Sequence, residues 1–201
     1  DVTEQDLNNL KAECLFLRAL SHFDLVRTYA QPYCYNLEGA DGKGSHLGVP
    51  VVLHTDASAK PARNTVKEVY DQIIADLNAA EPLLASAPGA VRSQLPTVDA
   101  VKALKARYYL DVKDYANAAK MAEEVIAIGK YVLASNAEEM AAEYTNDEGT
   151  EPIMQLYASQ SEGTVGNTIY TSVGNEDAGK YFAPYYLPSQ YLVSAYDATD
   201  I

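Results

Sequence analysis

Tyrosine and asparagine side chains gather in two loop-like stretches of the sequence, and this combination suits the binding of sugars. A sugar offers apolar C–H faces and a ring of hydroxyl groups, so its site needs flat aromatic rings beside hydrogen-bonding side chains. One stretch supplies Tyr33, Tyr35 and Asn36 directly after a predicted helix. A later stretch supplies Tyr170, Asn175, Tyr181, Phe182, Tyr185 and Tyr186. We predict that a ligand binds at five of these residues, namely Tyr33, Tyr35, Asn36, Tyr181 and Tyr185.

The abundance of tyrosine has a second explanation. The sequence of 201 residues contains sixteen Tyr, three Phe and no Trp. Tyrosine rings also pack half-buried between helices, where they stabilise the fold without touching a ligand. Tryptophan is common at sugar sites and is missing here, so the sequence leaves both explanations open.

No catalytic or metal-binding motif accompanies the tyrosines. The histidines His22, His46 and His54 are scattered, without the spacing of a metal site. A G-x-S-x-G nucleophile motif and a P-loop are also missing from the sequence. The nearest candidates for a pair of hydrolytic carboxylates lie close to tyrosines and are Asp41, Asp177 and Asp197. We therefore predict a binding protein with no catalytic residue, metal or cofactor.

The charge of the chain excludes several classes of partner. Asp and Glu number 28 against 15 Lys and Arg, which gives a formal net charge of -13 at pH 7. Nucleic acids and anionic membrane surfaces require basic patches, so we expect neither as a partner. The sequence has no long apolar run and opens on the polar segment DVTEQDLNN. It therefore shows neither a membrane-spanning helix nor a signal peptide.

The two cysteines are predicted to be free thiols. Cys14 lies inside the first predicted helix, and Cys34 follows the end of that helix at Tyr29. The helical residues from Cys14 to Tyr29 rise about 22 Å, whereas a disulfide needs Cα atoms about 5.5 Å apart. The few residues that remain could close this gap only by returning almost straight. We expect Cys14 to be a small residue of the core.

Two apolar stripes predict the helices that must position the first tyrosine stretch. A capping pattern at Thr3 begins a helix that runs to about Tyr29. Its stripe consists of Ala12, Phe16, Ala19, Phe23 and Val26, and it is widened by Leu15, Leu20 and Leu25. Such breadth predicts burial on two sides. A capping box at Thr65 begins the second helix, whose stripe consists of Val66, Tyr70, Ile73, Leu77, Ala80 and Leu84.

The connection between these two helices, residues 30–64, is unusually long for a compact domain. It contains the segment EGADGKGSHLG, which is rich in turn-forming residues. A connection of this length is either functional or disordered, and the sequence does not decide between the two. The two helices that flank it are expected to pack as an antiparallel pair.

A second pair of helices is typical of a tetratricopeptide hairpin. The predicted helices start at Thr97 and Tyr115 and are joined by a tight turn at Lys113 and Asp114. Three residues fit the repeat pattern, and two lysines stand where Trp and Leu are usual. The fitting residues are Ala106, Tyr109 and Ala118, and the two lysines are Lys102 and Lys105.

The character of the sequence changes after Tyr131. We predict a short helix at 137–144, a short strand at 153–157 and a last short helix that starts at Pro188. Residues 158–187 between them are rich in Ser, Thr, Gly, Asn and Tyr and have no helical period. The sequence therefore divides into a tetratricopeptide-like region, 1–131, which includes the long loop 30–64, and a loop-rich region, 132–201.

Five segments of the sequence, taken in order, carry a family resemblance. They are AECLFLRALSHFDLVRTYAQPY, LGVPVV, RNTVKEVYDQIIADLNAAEPLL, AVKALKARYYLDVKDYANAAKMAEEVI and LPSQYLVSAYDATDI. The residues that match the motifs are Ala12, Glu13, Arg18, Ala19, Phe23, Asp24, Leu25, Val26, Arg27, Gly48, Val49, Pro50, Ile73, Asp76, Leu77 and Ala80. With these segments the chain resembles the SusD/RagB family of nutrient-binding lipoproteins along nearly its whole length.

The resemblance implies a mostly α fold of tetratricopeptide-like hairpins, an α–α superhelix, with an irregular loop-rich region beside it. It also implies a surface-exposed lipoprotein of the cell outer membrane that binds an oligosaccharide and delivers it to a TonB-dependent, SusC-like transporter. Members of the family are longer and carry a signal peptide and a lipid-anchor Cys. We therefore expect this chain to be a piece of a longer protein.

The rival hypothesis is a tetratricopeptide adaptor that binds a protein segment in its concave groove. The tyrosine-rich late loops and the long connection 30–64 favour the nutrient-binding hypothesis, because adaptors of this kind keep their turns short. A lipid-anchor Cys in the full gene would support capture at the cell surface.

Overall fold

The computed structural model describes most of the chain, and the described residues fall into two compact units. The described residues are 2–36, 38–39, 41–56, 58–84, 89–146, 149–156, 170–175, 179–184 and 189–196. The first unit comprises Asp1–Ala134 and Glu148–Gln155, and the second comprises Ser135–Asp147 and Leu156–Ile201.

Helices make up most of the described structure, which confirms the predicted fold class. The first unit contains α1 (Glu4–Tyr29), α2 (Val66–Ala80), a single 3-10 turn (Glu81–Leu83), α3 (Val98–Asp111) and α4 (Tyr115–Ile126). The second unit contains α5 (Ala137–Asn146), β1 (Tyr170–Asn175), β2 (Gly179–Pro184) and α6 (Gln190–Ala195). The strands form an antiparallel hairpin in which Tyr170 pairs with Pro184.

Capping boxes set the starts of α1 and α2, as predicted. The Thr3 hydroxyl accepts a hydrogen bond from the Asp6 amide at 3.1 Å, and the Asp6 carboxylate accepts one from the Thr3 amide at 2.8 Å. Thr65 and Glu68 form the same reciprocal pair with lengths of 3.2 and 2.8 Å. Each box satisfies backbone donors that the first turn of a helix leaves unpaired.

The stripes of α1 and α2 form the core of the first unit. All five predicted stripe residues of α1 are buried, as are Val66, Tyr70, Ile73, Leu77 and Ala80 of α2. The helices run antiparallel, since Gln5 contacts Leu83 near one end and Phe23 contacts Tyr70 near the other. The predicted pairing of these two helices is therefore confirmed.

A buried ion pair connects α1 with α2. Asp76 is 3% exposed, and its carboxylate accepts two bonds from the Arg18 guanidinium at 2.8 and 2.6 Å. The Gln72 amide adds a third bond to the same carboxylate at 2.8 Å. A buried carboxylate is tolerated only when it is paired and hydrogen-bonded in this way.

Two expectations for α1 are wrong. Its apolar stripe is buried on one side only, because Leu15 and Leu20 are half-buried while Leu25 is 44% exposed. Cys14 is exposed and is not a residue of the core, although both cysteines are free thiols as predicted. The physical reason is that Cys14 lies on the side of the helix opposite to the stripe that contacts α2.

The predicted hairpin of α3 and α4 is present, and each of its two unusual lysines has an acidic partner. Lys105 is only 6% exposed and forms an ion pair with Glu81. Lys102 forms an ion pair with Glu124 of α4 at 2.8 Å. Acidic partners thus compensate the charges at positions where the repeat usually places apolar side chains.

The second unit differs in part from its prediction. The predicted short helices are present as α5 and α6, and the Ser189 hydroxyl caps α6 by accepting a bond from the Leu192 amide at 3.2 Å. The strand predicted at 153–157 is wrong for its described residues, where Met154 forms only an isolated bridge with Ser93. The hairpin of β1 and β2 lies inside the stretch that was predicted to be loop-rich.

Candidate functional site

The end of the long connection after α1 folds back along the start of α2. The Lys67 amide donates to the Gly44 carbonyl at 2.8 Å, and the Gly48 amide donates to the Asn64 carbonyl at 2.7 Å. Between these bonds the Val66 amide donates to the His46 carbonyl at 2.9 Å. The segment 44–49 is therefore ordered by backbone pairing with 64–67.

Two side chains just before α2 hold the returning segment in place. The Arg63 guanidinium donates to the carbonyl oxygens of Gly48 at 2.6 Å and Leu47 at 2.9 Å. The Asn64 side-chain oxygen accepts a bond from the Val51 amide at 2.9 Å. These contacts satisfy backbone groups that an irregular segment leaves unpaired.

Gly44 lets this segment approach both α2 and the first tyrosine of the candidate site. Its φ is +74°, and an added Cβ would lie 2.8 Å from the Lys67 nitrogen and 3.2 Å from the Tyr33 ring. Only glycine combines this backbone conformation with so close an approach. The position of the segment beside Tyr33 therefore depends on the absence of a side chain at residue 44.

Tyr33 joins the candidate site to the core. Its ring is half-buried and lies 5.1 Å, centroid to centroid, from the ring of Tyr70 on α2. Tyr70 in turn contacts Phe23 at 6.1 Å and Tyr108 at 5.8 Å, so the rings form a continuous row. Burial raises the pKa of the Tyr33 phenol above its ordinary value. This packing fixes the position of the ring without using its hydroxyl.

A hydrogen-bonded cluster next to Tyr33 connects the turn after α1, which carries the candidate residues, with α1 and α3. The Tyr70 hydroxyl donates to the Asp111 carboxylate at 3.1 Å, and the Arg27 guanidinium lies 3.3 Å from that carboxylate. Burial is the main cause that raises the pKa of Tyr70, and the Asp111 charge adds to it. The Cys34 thiol lies 3.8 Å from the Asp111 carbonyl. The turn that carries the candidate residues thus rests on two helices.

Tyr35 is held by a contact that the sequence did not indicate. Its ring is half-buried and meets the His46 ring edge-on, with centroids 5.9 Å apart. The His46 Nε2 atom lies 3.1 Å from the Gln31 carbonyl. A carbonyl can only accept, so Nε2 carries the hydrogen, and the buried Nδ1 has no hydrogen-bond partner among the described residues. His46 therefore connects Tyr35, the segment after α1 and the start of α2.

Asn36 completes the group and is exposed. Its side-chain oxygen lies near Gly42, where an added Cβ would be 3.8 Å away. The nearby Asp41 carboxylate accepts a bond from the Lys43 amide at 2.9 Å, and this bond lowers the pKa of Asp41. The turn thus presents Asn36 to solvent while the neighbouring carboxylate is engaged by its own loop.

The hydroxyl groups of Tyr33 and Tyr35 are the main groups of this site that could hydrogen-bond a ligand. Within the described residues neither hydroxyl has a hydrogen-bond partner, and neither oxygen is fully buried. The Asn36 amide is likewise without a partner in this part of the chain. Two anchored rings, two open hydroxyls and an amide can stack on a sugar ring and hydrogen-bond its hydroxyl groups.

The structure describes only part of the predicted set of ligand-binding residues. Tyr33, Tyr35 and Asn36 lie together on the turn after α1 in the first unit. Tyr181 lies in β2 of the second unit, where its backbone pairs with that of Val173. Tyr185 lies outside the described residues. Ligand binding by all five residues remains a prediction.

Reasoning from the sequence missed Gly44 and His46. Gly44 lies in a run of turn-forming residues that gives no sign of which glycine approaches a helix. In the sequence His46 is only one of three scattered histidines, because its contact with Tyr35 depends on how the long connection returns to α2. A signal did exist in the tight capping box at Thr65, which fixes where that connection must end.

Two features are not found among the described residues. No group of His, Cys, Asp and Glu among them is arranged to hold a metal ion. None of the described helices is both long enough and apolar enough to cross a membrane.

Sequence comparison with protein families gives one match. The profile of a SusD-like family, described as "Starch-binding associating with outer membrane", matches residues 1–110. Comparison with curated proteins found no match.

Comparison with solved structures gives several matches with the same fold. A SusD superfamily protein from Bacteroides thetaiotaomicron VPI-5482 is 31% identical with a TM-score of 0.65, over 81% of this chain and 34% of that one. A SusD superfamily protein from Bacteroides vulgatus ATCC 8482 is also 31% identical with a TM-score of 0.65, over 78% and 34% of the two chains. A laminarin-binding SusD-like protein shares the fold at 23% identity, with a TM-score of 0.54, over 74% and 31%. The chain spans about a third of the length of these proteins.

Proposed function

The chain belongs to the SusD-like family, and from this premise we propose that it is the part of a surface protein that binds glycans at the outer membrane. The ligand is an oligosaccharide, and the bound ligand is delivered to a TonB-dependent, SusC-like transporter. The protein itself is a lipoprotein that binds its ligand without chemical conversion.

The observation that carries the glycan proposal is the pair of open phenol hydroxyls on the turn after α1. Tyr33 and Tyr35 are held by rings of the protein, at 5.1 Å from Tyr70 and 5.9 Å from His46, and their hydroxyls have no partner among the described residues. Anchored rings lose little conformational entropy when a ligand binds, so they suit recognition better than mobile side chains. This arrangement explains how a site without tryptophan can still hold a sugar.

The comparisons support the class of ligand. The family that matches residues 1–110 is described as starch-binding, and one protein with the same fold is described as laminarin-binding. Both starch and laminarin are neutral polysaccharides of glucose, which present the apolar faces and hydroxyl groups that tyrosine and asparagine recognise. We therefore place neutral glucans first among the candidate ligands.

The second unit carries two further residues that we propose to bind ligand. Tyr181 and Tyr185 are the residues that we propose there, on the chemical grounds given for the first turn. The matching structures are longer than this chain, which covers 34% of each of them.

The family supports the proposed association with the outer membrane. The matching family is described as associating with the outer membrane. A soluble glycan must be brought to the pore of a transporter before uptake, and a binding protein beside the pore raises its local concentration. Delivery to a TonB-dependent transporter is the function that this placement serves.

Affinity electrophoresis tests the glycan proposal. The chain is run in native gels that contain starch, laminarin or a charged polysaccharide, beside the variants Tyr35→Ala and Tyr115→Ala. Tyr115 is a matched control because it is 61% exposed on α4 and lies away from the turn in sequence. We expect starch or laminarin to retard the chain and the Tyr115 variant, and to retard Tyr35→Ala much less. Equal retardation of all three proteins would contradict the site.

A further inference from the structure

Helix α1 carries a second apolar face on the side away from the core. Leu7, Leu10 and Leu17 are 59%, 56% and 42% exposed, and Cys14 is exposed between them. These four residues are spaced by three, four and three positions, so they form one stripe along the helix. A helix that is apolar on two opposite sides is normally covered on both.

The exposed stripe has the register of a coiled-coil seam. When Leu7 and Cys14 are placed at positions a of a heptad repeat, Leu10 and Leu17 fall at positions d. The buried residues of the same helix fall at positions b, c and f and are Ala12, Phe16, Ala19, His22, Phe23 and Val26. The seam therefore does not compete with the core, and both faces of α1 can be covered at once.

The charges beside the seam favour one orientation of a partner helix. Positions g carry Asp6 and Glu13, and positions e carry Lys11 and Arg18. In a parallel pair, each g residue faces the e residue of the following heptad on the other helix. Asp6 then faces Lys11 and Glu13 faces Arg18, so every pair is attractive. An antiparallel pair would instead bring e to e and g to g, which places like charges together.

From this pattern we propose that the seam of α1, formed by Leu7, Leu10, Cys14 and Leu17, docks a second copy of this chain. The two α1 helices pack side by side in parallel about a two-fold axis. The occupant is a second copy because one face supplies both members of each charge pair, which makes the face complementary to itself.

The contacts of the flanking residues in the single chain are compatible with this arrangement. Arg18 is bound to Asp76, but 32% of its side chain remains exposed at the edge of the seam. Leu20 and Leu25 occupy the next g and e positions, where they form an apolar pair. Ser21 and Asp24 occupy the following a and d positions, so the seam ends there. A seam of this length gives a weak dimer, whose formation depends on protein concentration.

Analytical ultracentrifugation of the chain over a range of concentrations tests the proposal. Leu10→Glu places a charge in the seam, and Leu110→Glu is the matched control because Leu10 is 56% and Leu110 is 57% exposed. We expect the chain and the control to approach twice the monomer mass at high concentration. The Leu10 variant should dissociate about tenfold more readily, as is typical when a central contact is lost. Circular dichroism of each variant confirms that it is folded.

Cysteine crosslinking tests the parallel orientation. In a parallel pair the two Cys14 side chains face each other at a position a, whereas in an antiparallel pair each faces a leucine. Oxidised glutathione should therefore link the dimer through Cys14, with two thiols oxidised and one glutathione disulfide reduced. Cys34→Ser should keep this link, and Cys14→Ser should lose it.

Three results would overturn the proposal. A chain that stays monomeric up to millimolar concentration would assign the face to another part of the natural protein or to a different partner. A dimer that Leu10→Glu leaves intact would place the interface elsewhere. A crosslink through Cys34 alone would exclude the α1 seam. None of these results depends on whether a glycan binds.

Discussion

Helices α2 and α4 have similar apolar stripes but different surroundings. Seven residues of α2 are buried, whereas in the described structure no residue of α4 is buried. The reason is position, because α2 packs on both α1 and α3 while α4 packs mainly on α3. Tyr115 and Ile126 at the open side of α4 are 61% and 75% exposed. An apolar period thus shows which side of a helix is suited to packing. It does not show whether another element packs against that side.

The candidate site and the α3–α4 hairpin also differ in how well the helices that carry them are packed. The turn that carries Tyr33 and Tyr35 is attached to the buried side of α2 through Tyr70 and the segment 44–49. It therefore gains its rigidity from the packed pair α1–α2. A helical hairpin of a repeat protein, by contrast, cannot bury its stripe without a neighbour. We expect ligand binding to depend on the first pair far more than on the second.

The largest expected effect comes from removing a side chain of the packed pair. Leu77 is fully buried in the core, so Leu77→Ala should lower the free energy of unfolding by about 2–5 kcal/mol. Ile126→Ala on the open side of α4 should lower it by less than about 0.5 kcal/mol. Urea denaturation of both variants measures the difference. If the two losses were equal, the open side of α4 would have to be covered in solution.

A smaller effect is expected on the pH dependence of stability, and it comes from the buried histidine of α1. His22 is 5% exposed, and its Nε2 atom accepts a bond from the Val52 amide at 3.3 Å. Burial lowers the pKa of His22; the Asp76 charge opposes this shift, and the Arg18 charge adds to it. The unfolded chain therefore takes up a proton at a higher pH than the folded chain. Stability should be unaffected above about pH 7 and should fall as the pH drops below about 6.5.

The control for this prediction removes the titrating group and keeps the acceptor. His22→Gln supplies a side-chain oxygen to the Val52 amide but cannot take up a proton near neutral pH. Its stability relative to the unmodified chain should improve as the pH falls, whereas His54→Gln, at an exposed histidine, should change nothing. Parallel pH profiles of the unmodified chain and His22→Gln would show that His22 is free to ionise in the folded state.

Local signals in the sequence predicted most of the first unit. The caps at Thr3 and Thr65 and the 3.6-residue period of the stripes depend on neighbours within one or two turns. Cys14 is predicted in the core because free cysteine is usually buried, and this prediction is wrong. The period of the stripe itself puts Cys14 on the side of α1 away from α2, where Leu7, Leu10 and Leu17 are also exposed.

Contacts between distant residues account for what the sequence did not show. The approach of Gly44 to Lys67 and the contact of His46 with Tyr35 exist only because the connection returns to α2. In the second unit the hairpin of β1 and β2 was missed, since Gly174, Asn175 and Pro184 are weak strand formers. Pairing between these two neighbouring strands overrides such local preferences.

The central claim is that the open hydroxyl of Tyr35 binds a neutral glycan on an anchored turn, and calorimetric titration of Tyr35→Phe tests it most directly. This variant keeps the ring and its contact with His46 and removes only the hydroxyl. With a laminarin or starch oligosaccharide we expect weak binding that becomes about tenfold weaker in the variant, as for the loss of a hydrogen bond to a sugar. Affinity should not change with salt, because a neutral sugar offers no ion pair to screen. Equal affinity of the two proteins, with unchanged stability, would contradict the claim.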